Sequence, residues 1–264
     1  MSRSDSTPLI SCLCVTRNKP ELLTRSICCF KSQSYRHKEM VIVYESDDPA
    51  TRKLLGCINS PDIKAIELSS DRKMNLGDIR NAAIERCNGE YICQWDDDDW
   101  YHERRLEIQM DCLQRSFKPA CVLTSWIIFN AITGNAYISP IRVWEGSILF
   151  KKDLISSDIR YASISKGEDT FLVEKMLAGN YIYPMIMPEL YIYVYHGKNT
   201  FGHEHFKHII ANSQKLSTVS SQVISHILNG RLDNSAGSEI LSGKDLLGEV
   251  DYFFSMKRLL MPGA

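Results

Sequence analysis

No cysteine follows Cys121, and no two of the nine cysteines form a Cys-x-x-Cys pair. That spacing excludes a zinc ribbon, and an odd number at irregular intervals excludes a disulfide framework. Several cysteines lie inside apolar runs such as Leu9–Val15, where the thiol acts as a small buried hydrophobe. Charge of one sign is missing too: 31 Lys and Arg stand against 32 Asp and Glu, a net −1. Without a cationic excess there is no electrostatic footprint for nucleic acid, so no nucleic-acid partner is expected. The first residues contain no apolar stretch of the kind a secretory signal needs, and the reading is of a cytoplasmic protein. One stretch, Pro119–Ile141, runs 23 residues without a charge, and about 20 suffice to cross a bilayer. Asn130, Asn135 and the turn Thr133-Gly134-Asn135 interrupt it, so two strands joined by a hairpin are expected there and no transmembrane segment.

What is present is ordinary for a globular chain. Of 264 residues, 44% are hydrophobic, 24% charged and 9% aromatic, which excludes disorder, collagen-like repeats and coiled coil. From Leu9 onward, short apolar runs alternate with amphipathic stretches. Strands are expected at Leu9–Val15, Met40–Tyr44, Ile63–Leu68 and Glu90–Trp95. Helices are expected at Pro20–Gln33, Thr51–Cys57, Leu76–Cys87 (closed by Asn88-Gly89) and Glu103–Arg115. This alternation predicts an α/β fold with a mostly parallel central sheet covered on both faces. After Ala120 strands and turns dominate up to a helix over Asp169–Ala178, and Tyr181–Met187 and Leu190–Tyr195 read as strands. Asn229–Gly243, rich in Ser, Gly and Asn, reads as a linker to a final apolar helix over Lys244–Leu260.

Asp96-Asp97-Asp98-Asp99 is the most informative feature. Four adjacent carboxylates repel one another, and such a run is commonly a solvated loop. Here it follows the apolar strand Tyr91-Ile-Cys-Gln-Trp95, at the edge where open α/β sheets bind ligands. In an extended chain Asp96 and Asp98 point one way and Asp97 the other, so the first and third can hold a hard divalent cation.

Several ordered pieces carry a resemblance. Leu9-Ile-Ser-Cys-Leu-Cys-Val-Thr-Arg-Asn-Lys-Pro-Glu-Leu-Leu23, Leu76-Gly-Asp-Ile-Arg-Asn-Ala-Ala-Ile84, Asn88-Gly-Glu-Tyr-Ile92, Gly167-Glu168-Asp169 and Tyr195-His196-Gly-Lys-Asn-Thr200 follow in the order of family 2 glycosyltransferases. From Pro8 to about His208 the chain resembles these inverting enzymes of the GT-A fold, which use a nucleotide-sugar donor. The resemblance implies a Rossmann-like nucleotide-sugar-binding half over residues 8–118 and a mixed acceptor half over 119–213, followed by a C-terminal helical extension over 214–264. It implies that Asp96 and Asp98, with His196, hold Mn2+ or Mg2+ against the donor diphosphate, a DXD motif. Asp169 becomes the catalytic base. Thr16, Arg17, Glu45, Arg80 and Asp97 fall where the family contacts the nucleotide, and Trp144, Glu145 and Glu168 where it meets sugar and acceptor. Asp99 is read as the cap of the following helix, and His203, His205 and His208 as surface side chains rather than a zinc site.

Two family motifs are altered: Pro-Thr-Tyr-Asn is Val15-Thr-Arg-Asn18 here, and Asp-Asp-Gly-Ser is Tyr44-Glu-Ser-Asp47. UDP is the nucleotide by resemblance. The acceptor class is a glycan, lipid-linked or peptide hydroxyl, as in surface polysaccharide synthesis. The final helix, with Leu246, Phe253, Phe254 and Leu259, packs on the main domain, on a second copy as a homo-oligomer contact, or on the inner face of a membrane. Two other classes stay open: a sugar nucleotidyltransferase, which would carry a glycine-rich loop that Thr16–Leu23 lacks, and a noncatalytic nucleotide- or carbohydrate-binding module.

Overall fold

The computed structural model describes residues 7–71, 73–243 and 248. In chain order, the first half is β1 (Ile10–Val15), α1 (Pro20–Lys31), β2 (Lys38–Glu45), α2 (Pro49–Gly56), β3 (Ile63–Leu68), α3 (Leu76–Arg86) and β4 (Tyr91–Gln94). A two-residue strand β5 (Trp100–Tyr101) and α4 (Arg105–Ser116) complete it. The second half contains β6 (Ala120–Leu123), β7 (Ile127–Asn130), β8 (Asn135–Ile138), β9 (Leu149–Lys151), α5 (Glu168–Ala178), β10 (Ile182–Met185) and β11 (Tyr191–Tyr195). It ends with α6 (His203–Ala211), β12 (Gln214–Lys215), α7 (Thr218–Leu228) and α8 (Asn234–Leu241).

A seven-stranded sheet runs β10-β6-β9-β4-β1-β2-β3. Strands β1 to β4 pair in parallel, and β9 lies antiparallel between β4 and β6. Side chains alternate across it with the two-residue period of a strand. Cys12, Cys14, Met40 and Ile42 enter one core with Leu23, Ile27 and Phe30 of α1. Leu13, Val41 and Val43 enter the opposite core with Ile79, Ala83 and Ile84 of α3 and Leu172 and Met176 of α5. Helices therefore cover both faces, as the alternation predicts. A chain that runs β1-β2-β3 to one side and then places β4 on the other side of β1 has its topological switch between β1 and β4. Ligands bind at the carboxyl ends of the strands there.

The uncharged stretch 119–141 is β6 and the β7–β8 hairpin, as expected from its turn, and no helix among the described residues is long and apolar enough to cross a membrane. The hairpin belongs to a second sheet, β12-β8-β7-β11-β5.

Two readings are corrected. Asn229–Gly243 is not a linker: Asp233 caps α8 by accepting from the Ala236 amide, and Leu241 is fully buried. Its small residues let the helix pack closely, with a Cβ on Gly237 only 3.2 Å from Ile227. Ser238 Oγ accepts from the Glu103 amide and the Ser238 carbonyl meets His102 Nε2 at 3.0 Å, so α8 is stitched to the start of α4. Nor does Asn88-Gly89 form a left-handed cap on α3, whose capping residue Cys87 is extended. Gly89 instead lets the chain pass β1, since a Cβ there would stand 2.6 Å from the Ser11 nitrogen. The proposed helix Lys244–Leu260 lies outside the described residues, Gly248 excepted.

Candidate active site

The acidic run leaves the first sheet at the end of β4 and enters the second at β5, so it lies on the seam between them. The strand stops at Gln94, and strict alternation stops with it. Asp97 therefore does not point away from Asp96 and Asp98; Lys19 Nζ reaches both Asp98 Oδ2 (2.8 Å) and Asp97 Oδ1 (3.4 Å). Asp99 is not a helix cap either. It is fully buried and accepts hydrogen bonds from the Tyr191 hydroxyl (2.6 Å) and the Val194 amide (2.9 Å), which ties the run to β11. A buried polar group must find hydrogen-bond partners, and these two donors supply them.

Beneath the run sits Arg105, fully buried, with its guanidinium 4.6 Å from the Tyr101 ring, 5.0 Å from Tyr191 and 5.2 Å from Trp95. It donates to the Gln94 carbonyl at 3.1 Å, so a stacked cation underpins the strand end that presents the carboxylates. The four carboxylates do not behave alike. Burial pushes Asp97 up to about 7, helped by the charge of Asp98 and opposed by Lys19. Asp98 is equally buried, yet its bonds from His196 and Lys19 hold it down at about 2. Burial raises Asp96, against the pull of Arg80, and raises Asp99 well above the usual carboxylate range.

Asp169 stands at the N-terminal turn of α5, where the helix dipole favours negative charge. Gln94 Nε2 donates to Asp169 Oδ2 at 3.2 Å, and the Tyr161 hydroxyl donates to Gln94 Oε1 at 3.0 Å, which fixes which end of the amide faces the carboxylate. Arg80 links the two acidic groups: it is 2.9 Å from Asp96, 2.9 Å from Glu168 and 3.6 Å from Asp169. The sequence places Arg80 at the nucleotide; in the structure its guanidinium is engaged by these three carboxylates. Glu168 is buried behind Asp169 and its carboxyl is raised by that burial, with Arg80 opposing.

A cavity of about 510 Å³ collects these groups. Thr16, Arg17, Lys19, Arg80, Asp96, Asp97 and Asp98 line it together with Trp144, Glu145, Glu168 and Asp169. Glu45 and His196 stand behind this lining: Glu45 is ion-paired with Arg17, and His196 Nε2 lies 3.0 Å from Asp98 Oδ2. Trp144 stacks on Trp126 (4.6 Å), which in turn stacks flat on Tyr191 (4.1 Å), so the wall is a packed aromatic column. Both indole N–H groups of that column are buried without a hydrogen-bond partner. Glu145 pairs with Arg142 at 3.0 Å. Gly146 lets the column approach the carboxylates, since a Cβ there would lie 3.1 Å from Asp96 Oδ2 and 3.3 Å from Trp126.

Sequence reasoning missed Lys19, Gln94, Tyr161 and Trp126. Gln94 is a polar residue at the end of an apolar strand, immediately before the run, and that position is the one signal that pointed to it.

Among the described residues no three His, Cys, Asp or Glu side chains converge as a ready-made metal cage. Asp96 is drawn toward Arg80 and Asp98 toward Lys19 and His196. The donor set nonetheless fits a hard cation: carboxylate oxygens of Asp96 and Asp98 face the cavity, the His196 imidazole stands directly behind Asp98, and the Lys19 ammonium already stands on Asp98 as a positive charge. A divalent ion that arrives with its own phosphate oxygens needs only one or two carboxylates from the protein.

A mostly parallel sheet with carboxylates at its switch point, and a second sheet closing the cavity, is the GT-A architecture of glycosyltransferases. The chain belongs to glycosyl transferase family 2, whose model, described as "Glycosyl transferase family 2", matches residues 11–159, over half its length. The fold is shared with S. aureus TarS 1-349, crystallised in complex with UDP-GlcNAc: the TM-score is 0.60 at 16% identity, over 81% of this chain and 70% of that one. Among sequence relatives, the putative colanic acid biosynthesis glycosyl transferase WcaA of Escherichia coli K12 is 34% identical over 166 residues, 58% of this chain and 56% of that protein. The amylovoran biosynthesis glycosyltransferase AmsB of Erwinia amylovora is 27% identical over 101 residues, 37% of this chain and 33% of that protein. The chain thus spans between a third and just over half the length of these two curated relatives.

Proposed function

We propose that this chain transfers a sugar, with inversion, from a UDP-linked donor to an acceptor hydroxyl in the assembly of a surface polysaccharide or related glycan. The observation that carries the reading is the placement of Asp169, held by Gln94, on the same cavity as Asp96 and Asp98. A direct displacement needs one base on the acceptor side and one anchored leaving group on the other. Asp169 takes the proton of the acceptor hydroxyl as its oxygen bonds to the anomeric carbon. The bond from that carbon to the diphosphate oxygen breaks on the opposite face, and its electron pair leaves with the nucleoside diphosphate. Asp98 and His196, with Asp96 beside them, are the residues that would hold Mn2+ or Mg2+. When bound, the ion supplies Lewis-acid stabilisation of the departing diphosphate.

Thr16 and Arg17, at the end of β1, and Glu45, at the end of β2, are the nucleotide contacts in this reading. Glu145 offers a carboxylate to sugar hydroxyls, whereas Trp144, expected to stack on the sugar, is buried between Trp126 and the Arg142 guanidinium and serves as packing of the wall. The UDP complex of the TarS fold supports the choice of base, and the polysaccharide roles named for AmsB and WcaA support the acceptor class. A lipid-linked acceptor would place the work at the inner face of a membrane.

The test is calorimetric titration of a panel of nucleoside diphosphates, each with Mn2+ and with EDTA. Metal-dependent binding of UDP alone is expected. Binding of none would overturn the donor site and leave a noncatalytic module of the same fold.

A further inference from the structure

Lys19 lines the same cavity, beside the carboxylates read as cation ligands. Its side chain is mostly buried at the foot of α1, and its ammonium lies 2.8 Å from Asp98 Oδ2 and 3.4 Å from Asp97 Oδ1. The backbone that carries it is pinned: the preceding Asn18 has a positive φ of 54°, and its amide donates to Asp48 Oδ2 at 2.6 Å. Asp48 in turn caps α2 through the Thr51 amide, so the turn is fixed from both β1 and β2. Any change at Lys19 is then a movement of its flexible four-carbon stem, not of the chain.

The neighbouring guanidinium groups are otherwise engaged, Arg80 with Asp96 and Glu168, Arg17 with Glu45 and Asp47, and Arg25 with the Asp98 main-chain carbonyl rather than its carboxylate. Among the described residues Lys19 is thus the Lys or Arg paired with the Asp98 carboxylate, and it meets the same oxygen that His196 Nε2 touches at 3.0 Å. A divalent ion bonded to that oxygen would lie within about 2.0–2.6 Å of it. An ammonium at hydrogen-bond distance from the same atom would then face a doubly charged ion at close range, and the repulsion is large in a partly buried site.

We propose that Lys19 is a built-in counter-ion that neutralises Asp98 in the free protein and must be displaced from it for a divalent cation to bind. The inference rests on the reading of Asp98 as a cation ligand. Displacement by the cation alone leaves the ammonium without its strongest partner. A diphosphate arriving with the cation gives it a new one, since phosphate oxygens enter the same cavity. Lys19 therefore couples the two ligands: each raises the affinity for the other, and by linkage the factor is the same in both directions. In its absence the cation would bind well by itself, and the diphosphate would add less.

The experiment is Mn2+ binding followed by electron paramagnetic resonance, without phosphate ligand and with saturating inorganic pyrophosphate. It uses the full chain and its Lys19→Met, Lys19→Gln and Asp98→Asn variants, each checked for an intact thermal transition. Pyrophosphate carries the diphosphate chemistry without depending on the base. Both Lys19 variants are expected to bind Mn2+ alone about tenfold more tightly than the parent, and to lose about the same factor of pyrophosphate enhancement, within the usual size of such couplings. Asp98→Asn is expected to abolish Mn2+ binding. Equal Mn2+ affinity in the parent and both Lys19 variants, still abolished by Asp98→Asn, would overturn the role of Lys19 and leave the cation site standing. No Mn2+ binding to any of them, with or without pyrophosphate, would overturn the site itself and the inference with it.

Discussion

Replacing Arg80 by Met tests how the site is held together. The guanidinium is buried and lies within 2.9 Å of Asp96 and of Glu168, and 3.6 Å from Asp169. Methionine keeps most of the apolar stem and removes the charge, which leaves Glu168 buried without its counter-charge beside the partly exposed Asp96 and Asp169. Removing one partner of a buried ion pair costs about 3–5 kcal/mol, because the other charge stays buried and unpaired. Burial already lifts Asp96 and Glu168 above their ordinary values with Arg80 opposing, so its loss lifts them further. The folded variant then binds protons that the unfolded chain has released above about pH 4, so its stability rises as pH falls through the interval between the two values. Urea unfolding in EDTA at about pH 7.5 should show the variant about 3–5 kcal/mol less stable than the parent, and at about pH 5 the gap should shrink by half or more. A cost below about 1 kcal/mol at the higher pH, or one that does not change between the two, would refute the argument that Arg80 is the counter-charge of this cluster.

Other consequences are smaller or more local. Tyr161→Phe removes the hydroxyl that fixes the Gln94 amide, so turnover should fall severalfold (roughly 1 kcal/mol) with donor affinity unchanged; a matching loss of donor binding would contradict a positioning role. Gly146→Ala puts a methyl 3.1 Å from Asp96 Oδ2, and it should weaken metal-dependent nucleotide binding about tenfold while shifting the urea midpoint little. His102 is held neutral, its pKa lowered first by burial, with Nδ1 accepting from the Arg104 amide and Nε2 facing Ser238 and Ser242. Its contribution is present above the unfolded value of about 6.5 and is lost as pH falls through that value and then the folded one. Hydrogen exchange over residues 234–241 should accelerate selectively on acidification through that range, and uniform exchange across the chain would contradict it.

The alternation of strand and helix is legible because it depends on local period alone: β1 to β4, β10 and β11 stand within one or two residues of the expected positions, while the short β5, β9 and β12 carry no such period. The acidic run was legible as a site because its place after an apolar strand is also local. What its members do was not. The strand pattern points Asp97 away from its neighbours and proximity makes Asp99 a helix cap, and both expectations fail because the chain leaves the first sheet after Gln94 to enter a second. The partners of Asp99 lie on β11, more than 90 positions away. The Gln94–Asp169 and Tyr161–Gln94 bonds likewise join residues 75 and 67 positions apart. The segment Asn229–Gly243 differs from its linker-like composition for another reason: small polar residues signal a loop when exposed, but Gly237 and Ser238 here serve close packing, and composition does not distinguish the two.

The most direct test of the account separates binding from chemistry at Asp169. Parent and Asp169→Asn proteins are titrated with UDP in Mn2+, then incubated with UDP-sugars and a panel of glycan acceptors, with the product anomer read by NMR. The account predicts equal metal-dependent UDP binding in both, transfer with inverted configuration in the parent, and none in the variant. A variant that transfers sugar as fast as the parent, or a parent product of retained configuration, would contradict it.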